Sequence, residues 1–307
     1  MASPVTIRIL IMRDIKVLHI EPTTACNAAC PQCAREQDPA FDKTKLDHLT
    51  LAQVQSHFSD DAIRGLDKMF MCGDYGDPAA GQHTLEIFRY FRQVNPTITL
   101  GMNSNGSLRN ISWWQELAGL LNQERDYVIW SLDGLEDTNH IYRVNTIWSK
   151  IMENAEAFIR AGGRAHWEML VYKHNEHQVK DCRDLAKRMC FHWFRTKVSR
   201  RFDLYPVEFL KPPTELLIPT RNFANSNNHS DIKCQALNDN SRYLSAKGIL
   251  HPCCWLGGYG ANNTLDKFEE IQKSWQTTPH PVCQRTCATV GNRNNFTNQW
   301  KSEEDLC

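Results

Sequence analysis

Three cysteines within eight residues are the part of this sequence best suited to chemistry. Cys26, Cys30 and Cys33 have the spacing C-x3-C-x2-C and follow the apolar run Val17–Ile20. Three thiolates on one short loop can hold three irons of a cubane iron–sulfur cluster, and the fourth iron then has no protein ligand. That iron is open to a substrate or cofactor. A zinc site and inert or disulfide-bonded cysteines are the alternatives that the spacing leaves open.

The remaining cysteines indicate a second metal centre. The chain has 12 cysteines, and in a reducing compartment such enrichment is typical of metal binding rather than of disulfides. In the middle of the chain, Cys72, Cys182 and Cys190 lie in patterns that predict core positions. A second group lies late: Cys234, Cys253, Cys254, Cys283, Cys287 and Cys307. The two groups predict two metal centres in two regions.

Alternating strand-like and helix-like segments must position these cysteines. Helical periodicity marks residues 111–121 and 175–189, and Asn175 with Gln178 predicts an N-cap with a capping box. Strand–helix alternation indicates an α/β fold with a parallel sheet, and six units favour a curved, partial (β/α)6 TIM-like barrel. The chemistry of such folds gathers at the carboxyl ends of the strands, where the cysteine loop belongs. The candidate strands are 15–20, 67–72, 97–102, 126–131, 165–172 and 191–197.

The regular pattern ends after Phe202. Residues 203–233 contain four prolines and the polar run 222–228, which is typical of a linker. Residues 234–307 are rich in cysteine and contain short β-like pieces. We therefore expect a core domain at 1–202, a linker at 203–233 and a small cysteine-rich C-terminal domain at 234–307.

Charge and hydropathy exclude several classes of protein. Lys and Arg balance Asp and Glu at 35 each, so no overall basic field favours nucleic acid. No apolar run approaches the ~20 residues of a membrane span, and Ile9–Met12 is too short for a signal-peptide core. We expect a cytoplasmic protein. A local basic run is either a solvated face or a site for an anionic group: Arg195, Lys197, Arg200 and Arg201.

Polar turns follow three of the predicted strands. A glycine-rich turn, Gly73–Pro78, comes after the second strand and lets the backbone approach a ligand closely. Asn103–Gly106 follows the third strand, and Ser131–Gly134 ends the fourth. Each of these segments can also serve simply as a loop cap.

In combination, the cysteine loop and these turns resemble the radical S-adenosylmethionine (SAM) superfamily. The resemblance implies that the open iron chelates the amino and carboxylate groups of SAM. Gly73–Pro78 resembles the family's GGEP motif, with Asp77 in place of Glu. Gln32 departs from the family, which often has an aromatic or apolar residue there, so the adenine contact is unassigned. The implied SAM-binding residues are Gly73, Asp74, Gly76, Asp77, Pro78, Asn103, Ser131, Asp133 and Arg143.

The late cysteines resemble the SPASM or twitch extension of the same superfamily. The pattern is C-x13-G-x4-C from Cys234 through Gly248 to Cys253, followed by Cys283 and Cys287. It implies that these four cysteines hold one auxiliary [4Fe–4S] cluster, because the middle C-x2-C-x5-C run is missing. A four-cysteine zinc site is the alternative. Cys254 is either a buried thiol or a hydrogen-atom donor, and either it or Cys307 could replace a ligand.

The resemblance also implies a reaction. A reduced [4Fe–4S] cluster cleaves SAM to methionine and a 5′-deoxyadenosyl radical, which abstracts a hydrogen atom from the substrate. An auxiliary cluster favours oxidative modification of a peptide or protein, although the short segment before the first strand predicts no extra peptide-binding domain. The alternatives are dehydrogenation or epimerisation of a sugar, nucleoside or alcohol, and a non-catalytic metal-binding module. A reductant such as flavodoxin or ferredoxin is the implied partner.

Overall fold

The chain forms a mostly parallel α/β sheet that curves into an open, partial barrel. A computed structural model describes residues 15–199, 201–202, 204–214, 232–258, 263–288 and 306. The strand order is β6-β5-β4-β3-β2-β1-β7-β8, and each neighbouring pair is parallel except β7 with β8. The strands are β1 (Val17–Ile20), β2 (Lys68–Met71), β3 (Thr99–Ser104), β4 (Tyr127–Ser131), β5 (Ala165–Val171), β6 (Trp193–Val198), β7 (Ser241–Leu244) and β8 (Leu250–His251).

Strands β1 to β6 confirm the architecture predicted from strand–helix alternation. Each strand lies on a predicted segment to within two residues at either end. Short turns of 3-10 helix cover Pro78–Ala80, Glu176–Gln178 and Leu265–Lys267. The helices are α1 (Ala34–Gln37), α2 (Leu51–His57), α3 (Asp60–Arg64), α4 (Thr84–Val94), α5 (Ile111–Leu120), α6 (Glu136–Tyr142), α7 (Trp148–Arg160), α8 (Val179–Arg188), α9 (Gln235–Asn238), α10 (Phe268–Ser274) and α11 (Pro281–Cys287).

The sheet is buried on both faces, as parallel sheets normally are. Because side chains alternate along a strand, one set of residues packs among the helices and the other lines the barrel interior. The helix-facing set forms the main apolar core and includes Leu18, Leu100 and Trp167. Neighbouring residues of the interior set include stacked rings, with centroids 4.5 Å apart for His19 and Phe70.

The expected capping box at Asn175 is wrong. The helix begins at Val179, and neither Asn175 nor Gln178 caps a helix through its side chain. The Asn175 amide nitrogen instead donates to the carbonyls of Asp133 and Leu170, both at 2.9 Å. This side chain therefore joins the ends of β4 and β5, an interaction that sequence spacing does not reveal.

The C-terminal region continues the same sheet. Strand β7 pairs with β1 in parallel register, with Val17 opposite Ser241 and Ile20 opposite Leu244. Within the expected linker, residues 204–214 are described, and Leu210 packs near the cysteine loop. The polar run 222–228 lies outside the described residues. Among the helices described, none has both the length and the apolar character needed to cross a bilayer.

Candidate functional site

The cysteine loop lies at the carboxyl end of β1, as the sequence predicted. It occupies the connection between β1 and α1, and its residues Ala28 and Cys30 pack with Tyr142 and Tyr172. Cys30 is buried, while Cys26 and Cys33 are half-buried. The three thiols therefore share one partly enclosed place at the mouth of the barrel.

Burial makes these thiols poor acids in the absence of a cation. It raises the pKa of Cys30 to about 11, although the nearby Arg143 guanidinium opposes that rise. The pKa of Cys26 is also raised, first by burial and then by the charge of Asp77, with smaller contributions from Cys30 and Cys33. A metal cation reverses this situation, because coordination deprotonates thiols. The donor set thus fits a positively charged metal centre.

Several N–H groups point at the sulfur atoms. The backbone N–H of Ala28 donates to Cys26 Sγ at 3.3 Å, and the Asn105 amide lies 3.8 Å from the same sulfur. Arg143 Nη1 lies 3.7 Å from Cys30 Sγ. Thiolates bound to iron accept such hydrogen bonds, which influence the properties of a cluster. The loop therefore has N–H groups of the kind that donate hydrogen bonds to the sulfur ligands of iron–sulfur clusters.

The three thiols do not form a site for a single metal ion. In the part of the chain that the structure describes, no three His, Cys, Asp or Glu side chains stand close enough to share one metal ion. In a cubane cluster each cysteine binds a different iron, so the thiols need not meet at one point.

The predicted glycine turn packs directly on the cysteine loop. A Cβ on Gly76 would lie 1.9 Å from the carbonyl oxygen of Thr23, and one on Gly73 would lie 2.0 Å from that of Gly76. The backbone N–H of Asp77 donates to the Ala25 carbonyl at 2.8 Å. Gly76 is therefore required for the close approach of the turn to the segment before Cys26, and Gly73 is required for the tightness of the turn itself.

Glu21 holds this turn, a role that the sequence motifs did not indicate. Its buried carboxylate accepts the N–H groups of Tyr75 at 2.7 Å and Gly76 at 3.2 Å, and the Tyr243 hydroxyl donates to it at 2.5 Å. Burial and the charge of Glu21 raise the pKa of Asp74 to about 8. The sequence feature that could have indicated this role is the position of Glu21 two residues beyond His19, which places both side chains on the interior face of the first strand.

The Asp77 carboxylate ties the second strand-end turn to the third. Its Oδ1 accepts from Ser104 Oγ at 2.8 Å and from the Ala79 N–H at 2.9 Å, and its Oδ2 accepts from the Asn105 N–H at 2.8 Å. Burial raises its pKa, and these hydrogen bonds oppose the rise. Asn105, also missed in the sequence, lies within the polar turn predicted after the third strand and reaches the cysteine loop. Asn103 is half-buried on β3.

Two residues that the resemblance assigned separately to SAM are paired with each other. Arg143 Nε lies 2.7 Å from Asp133 Oδ2, and their side chains are 16% and 0% exposed. The Leu170 N–H donates to Asp133 Oδ1 at 2.6 Å. Ser131, at the end of β4, is half-buried. The ion pair places one arm of the guanidinium on Asp133 and directs another at Cys30.

The Gln32 side chain, whose role the sequence left open, is a buried clamp. Its Oε1 accepts from the Ser199 hydroxyl at 2.7 Å, and its Nε2 donates to the Tyr205 carbonyl at 3.2 Å. Arg201 Nη1 donates to the Gln32 backbone carbonyl at 2.8 Å. The residue before the third cysteine thus fastens the segment after β6 over the loop.

Part of the basic run and one of the middle cysteines differ from the expectations. Arg195 and Lys197 both pair with Glu168 Oε2, at 2.8 and 2.5 Å. The Arg195 side chain is 15% exposed, so a solvated face is wrong for it, whereas the Lys197 side chain is 39% exposed. Arg200 lies outside the described residues. Cys182 is buried as predicted, but the core prediction is wrong for Cys190, which is exposed. Cys72 is half-buried at the end of β2. Burial raises the pKa of its thiol to about 12, and the charges of Asp74 and Glu168 add to this rise.

The segments that carry the four late cysteines lie next to one another beside the β7–β8 hairpin, although no three of these described side chains stand close enough to share one metal ion. The N–H of Lys233 donates to the Cys287 carbonyl at 3.0 Å, which joins the two ends of the set. Cys253 and Cys283 pack in one small apolar cluster. Burial raises the pKa of Cys253 to about 12, with smaller contributions from Cys234, Cys287 and Cys283. Cys254 is half-buried and near Tyr243, and Cys307 lies outside the described residues.

Comparisons with known proteins place these features in context. The family model described as Radical SAM superfamily matches residues 20–186. Native anSMEcpe with bound AdoMet (SAM) and the Cp18Cys peptide has a TM-score of 0.57 at 15% identity, with 85% of this chain and 81% of that chain covered. Streptococcus suis SuiB bound to precursor peptide SuiA has a TM-score of 0.56 at 11% identity, with 88% and 66% covered.

At identities this low, the TM-scores of 0.57 and 0.56 show a shared fold alone. The chain spans 49% of another anSMEcpe structure, which carries a hexahistidine tag and bound AdoMet, and 66% of SuiB. No curated protein matches the sequence.

Proposed function

Because this chain belongs to the radical SAM superfamily, we propose that Cys26, Cys30 and Cys33 hold a [4Fe–4S] cluster whose open iron binds SAM. The observation that carries this proposal is the loop itself. Three thiols lie at the carboxyl end of β1, and N–H donors from Asn105 and Arg143 point at two of them. When bound and reduced, the cluster supplies the electron that cleaves SAM to methionine and a 5′-deoxyadenosyl radical.

The chain's own residues hold and orient these groups. Glu21 fixes the turn at Gly73–Pro78, and we propose that the backbone of this turn receives the SAM amino group. Asp77 locks the second turn to the third, so its side chain contributes by positioning. The clamp at Gln32 keeps the segment after β6 over the loop, which limits the access of water. The SAM contacts proposed for Asn103, Ser131, Asp133 and Arg143 complete the pocket.

We propose that Cys234, Cys253, Cys283 and Cys287 hold an auxiliary [4Fe–4S] cluster. The packing of Cys253 against Cys283 and the backbone hydrogen bond from Lys233 to Cys287 support this assignment. Residues 234–307 then form a functional unit whose strands extend the core sheet. Four thiolates close a cluster fully, which suits electron transfer rather than SAM binding.

Oxidative modification of a peptide or protein is the proposed outcome. SuiB and anSMEcpe, which share the fold, have both been solved with peptides bound. Dehydrogenation or epimerisation of a small molecule is the second candidate. The charged set of Glu168, Arg195 and Lys197 on the interior face favours a polar substrate in either case. A flavodoxin or ferredoxin is the proposed reductant.

Cleavage of SAM tests the enzymatic proposal. The protein is reconstituted anaerobically with iron and sulfide, reduced with dithionite and incubated with SAM, and 5′-deoxyadenosine is measured. The wild type is expected to release 5′-deoxyadenosine, and Cys30→Ala is expected to release none. A wild type that holds about eight irons per chain, enough for both clusters, and still cleaves no SAM contradicts the proposal and favours a non-catalytic metal-binding module.

Iron content tests the auxiliary cluster. The Cys26→Ala/Cys30→Ala/Cys33→Ala variant removes the ligands of the first cluster and is expected to retain about four irons and four sulfides per chain. Zinc without sulfide in this variant supports the four-cysteine zinc alternative. Loss of all metal contradicts a second centre.

A further inference from the structure

Strand β4 carries a buried arginine–aspartate pair near each end. Asp126 lies just before the strand and pairs with Arg92, while Asp133 lies just after it and pairs with Arg143. The arginine and aspartate side chains are 12% and 0% exposed in the first pair, and 16% and 0% in the second. The pairs are thus matched in residue type and burial. They differ in location, because the second pair lies against the cysteine loop.

The second pair forms a bridge to a sulfur atom. Arg143 Nε contacts Asp133 Oδ2 at 2.7 Å, and Nη1 of the same guanidinium lies 3.7 Å from Cys30 Sγ. The fork of a guanidinium is rigid, so fixing one arm fixes the direction of the other. Asp133 is in turn held by the Leu170 N–H at 2.6 Å. The position of a positive charge at Cys30 is therefore determined by the end of β4.

A positive charge beside Cys30 affects how readily a cluster held at this loop takes up an electron. Reduction adds a negative charge to an iron–sulfur cluster, and a cationic N–H donor at a ligating sulfur stabilises the reduced state. Hydrogen bonds to the sulfurs are among the features that set cluster potentials. Asp133 opposes this effect by offsetting part of the guanidinium charge. The strength of the combined effect depends on both partners.

We propose that the Asp133–Arg143 ion pair sets the reduction potential of the cluster held by Cys26, Cys30 and Cys33, through the N–H contact to Cys30. This inference rests on the proposed function, since it requires a cluster at that loop. Asp133 and Arg143 act here as positioning residues that tune the cluster before SAM binds. Their effect is therefore separate from the SAM contacts implied by the resemblance.

A potentiometric titration without SAM tests this inference. Reconstituted full-length proteins are poised at the wild-type midpoint, and the reduced cluster is quantified by electron paramagnetic resonance. The relevant signal is the one that the Cys26→Ala/Cys30→Ala/Cys33→Ala variant lacks. Arg143→Gln is expected to lower the ratio of reduced to oxidised cluster about tenfold, which is 59 mV for one electron. Asp133→Asn is expected to raise the ratio, because the guanidinium charge is no longer offset.

Matched controls separate tuning from stability. Arg92→Gln and Asp126→Asn break the equivalent pair at the other end of β4 and are expected to leave the ratio within about twofold of wild type. If Arg143→Gln does not fold, the double variant Asp133→Asn/Arg143→Gln leaves neither charge buried alone. Its ratio is expected to lie below that of Asp133→Asn, because the guanidinium charge at Cys30 is removed.

The outcomes distinguish this inference from the proposed function. Unchanged ratios in both Asp133→Asn and Arg143→Gln, with normal iron content, overturn the inference. Where Arg143→Gln does not fold, equal ratios in Asp133→Asn and in the double variant overturn it. Shifts of the same sign in both single variants, or equal shifts in the Arg92→Gln control, also overturn it. A wild type that assembles no cluster at the loop contradicts the proposed function instead.

Discussion

Lys68 illustrates how the barrel interior changes the chemistry of one side chain. Its ammonium lies 4.8 Å from the ring centroid of Tyr127 and 5.4 Å from that of Phe70. Burial lowers its pKa from 10.5 to about 7, and the charge of Asp239 opposes this shift. Between these two pH values the unfolded chain holds more protons than the folded one, so this residue makes the free energy of unfolding rise with pH.

The variant Lys68→Met removes this titration while keeping an unbranched side chain. The free energy of unfolding of Lys68→Met minus that of wild type is therefore expected to fall as pH rises from 7 toward 10. Urea denaturation at several pH values measures the difference. Lys45→Met is the control, because the Lys45 side chain is 82% exposed, and its difference is expected to stay flat. A flat difference for Lys68→Met contradicts the prediction.

Gly76 provides a second test at the scale of one residue. In Gly76→Ala the new Cβ would lie 1.9 Å from the backbone oxygen of Thr23, so the turn must move. We expect a loss of about 2–3 kcal/mol in the free energy of unfolding, together with weaker SAM binding.

Gly119→Ala is the matched control for Gly76→Ala. Gly119 lies in α5, and beyond its own helix and chain neighbours no atom lies within 4 Å of the new Cβ. The substitution is expected to raise the free energy of unfolding by about 0.5–1 kcal/mol. Chemical denaturation compares the two variants. Equal effects at the two glycines mean that the close approach at Gly76 is unimportant.

At the scale of elements, Glu21 links β7 to the glycine turn and so joins the C-terminal region to the proposed SAM site. The Tyr243 hydroxyl on β7 donates to Glu21, whose other oxygen holds the turn. Glu21 is buried, so removing this donor leaves a desolvated carboxylate oxygen without its partner. The orientation of the turn therefore depends on a strand that the sequence placed in another domain.

Tyr243→Phe is expected to reduce the free energy of unfolding by about 1–3 kcal/mol and to weaken SAM binding. Calorimetry of SAM binding to the reconstituted protein measures the second effect. Tyr90→Phe is the control, since Tyr90 makes an exposed hydrogen bond to Asp60 at 2.6 Å. Its stability is expected to change by less than about 0.5 kcal/mol. If Tyr243→Phe binds SAM like wild type, β7 does not support the turn.

At the scale of the whole molecule, the structure arranges two cysteine sites along one continuous sheet. The first site follows β1, and the second surrounds the hairpin of β7, which is the parallel neighbour of β1. The two groups of cysteines therefore flank adjacent strands of one sheet.

The Cys283→Ser/Cys287→Ser variant tests whether the two sites are independent. It is expected to lose about four irons per chain and to keep the cluster at the first loop. Iron analysis and SAM cleavage are measured together, and SAM cleavage is expected to continue because the first site is intact. Cys190→Ser, at an exposed cysteine, serves as the control with unchanged iron. Retention of all iron, or loss of both clusters, contradicts two independent centres.

The sequence by itself determined the fold class, the loop of Cys26, Cys30 and Cys33, and the six core strands. These features depend on local signals, namely cysteine spacing and apolar runs, which do not require knowledge of the distant chain. The turn at Gly73–Pro78 was found for the same reason, because glycine and proline mark turns directly. The structure confirms the sheet and brings these segments to one end of the barrel.

Only the tertiary structure decided which side chains meet. The pairing of Asp133 with Arg143, the support of the turn by Glu21 and Tyr243, and the clamp at Gln32 join residues from different elements. No sequence period encodes these contacts, since they depend on how strands are placed beside one another. The parallel pairing of β1 with β7 belongs to the same class, because short strands far apart in sequence find each other only through the folded sheet.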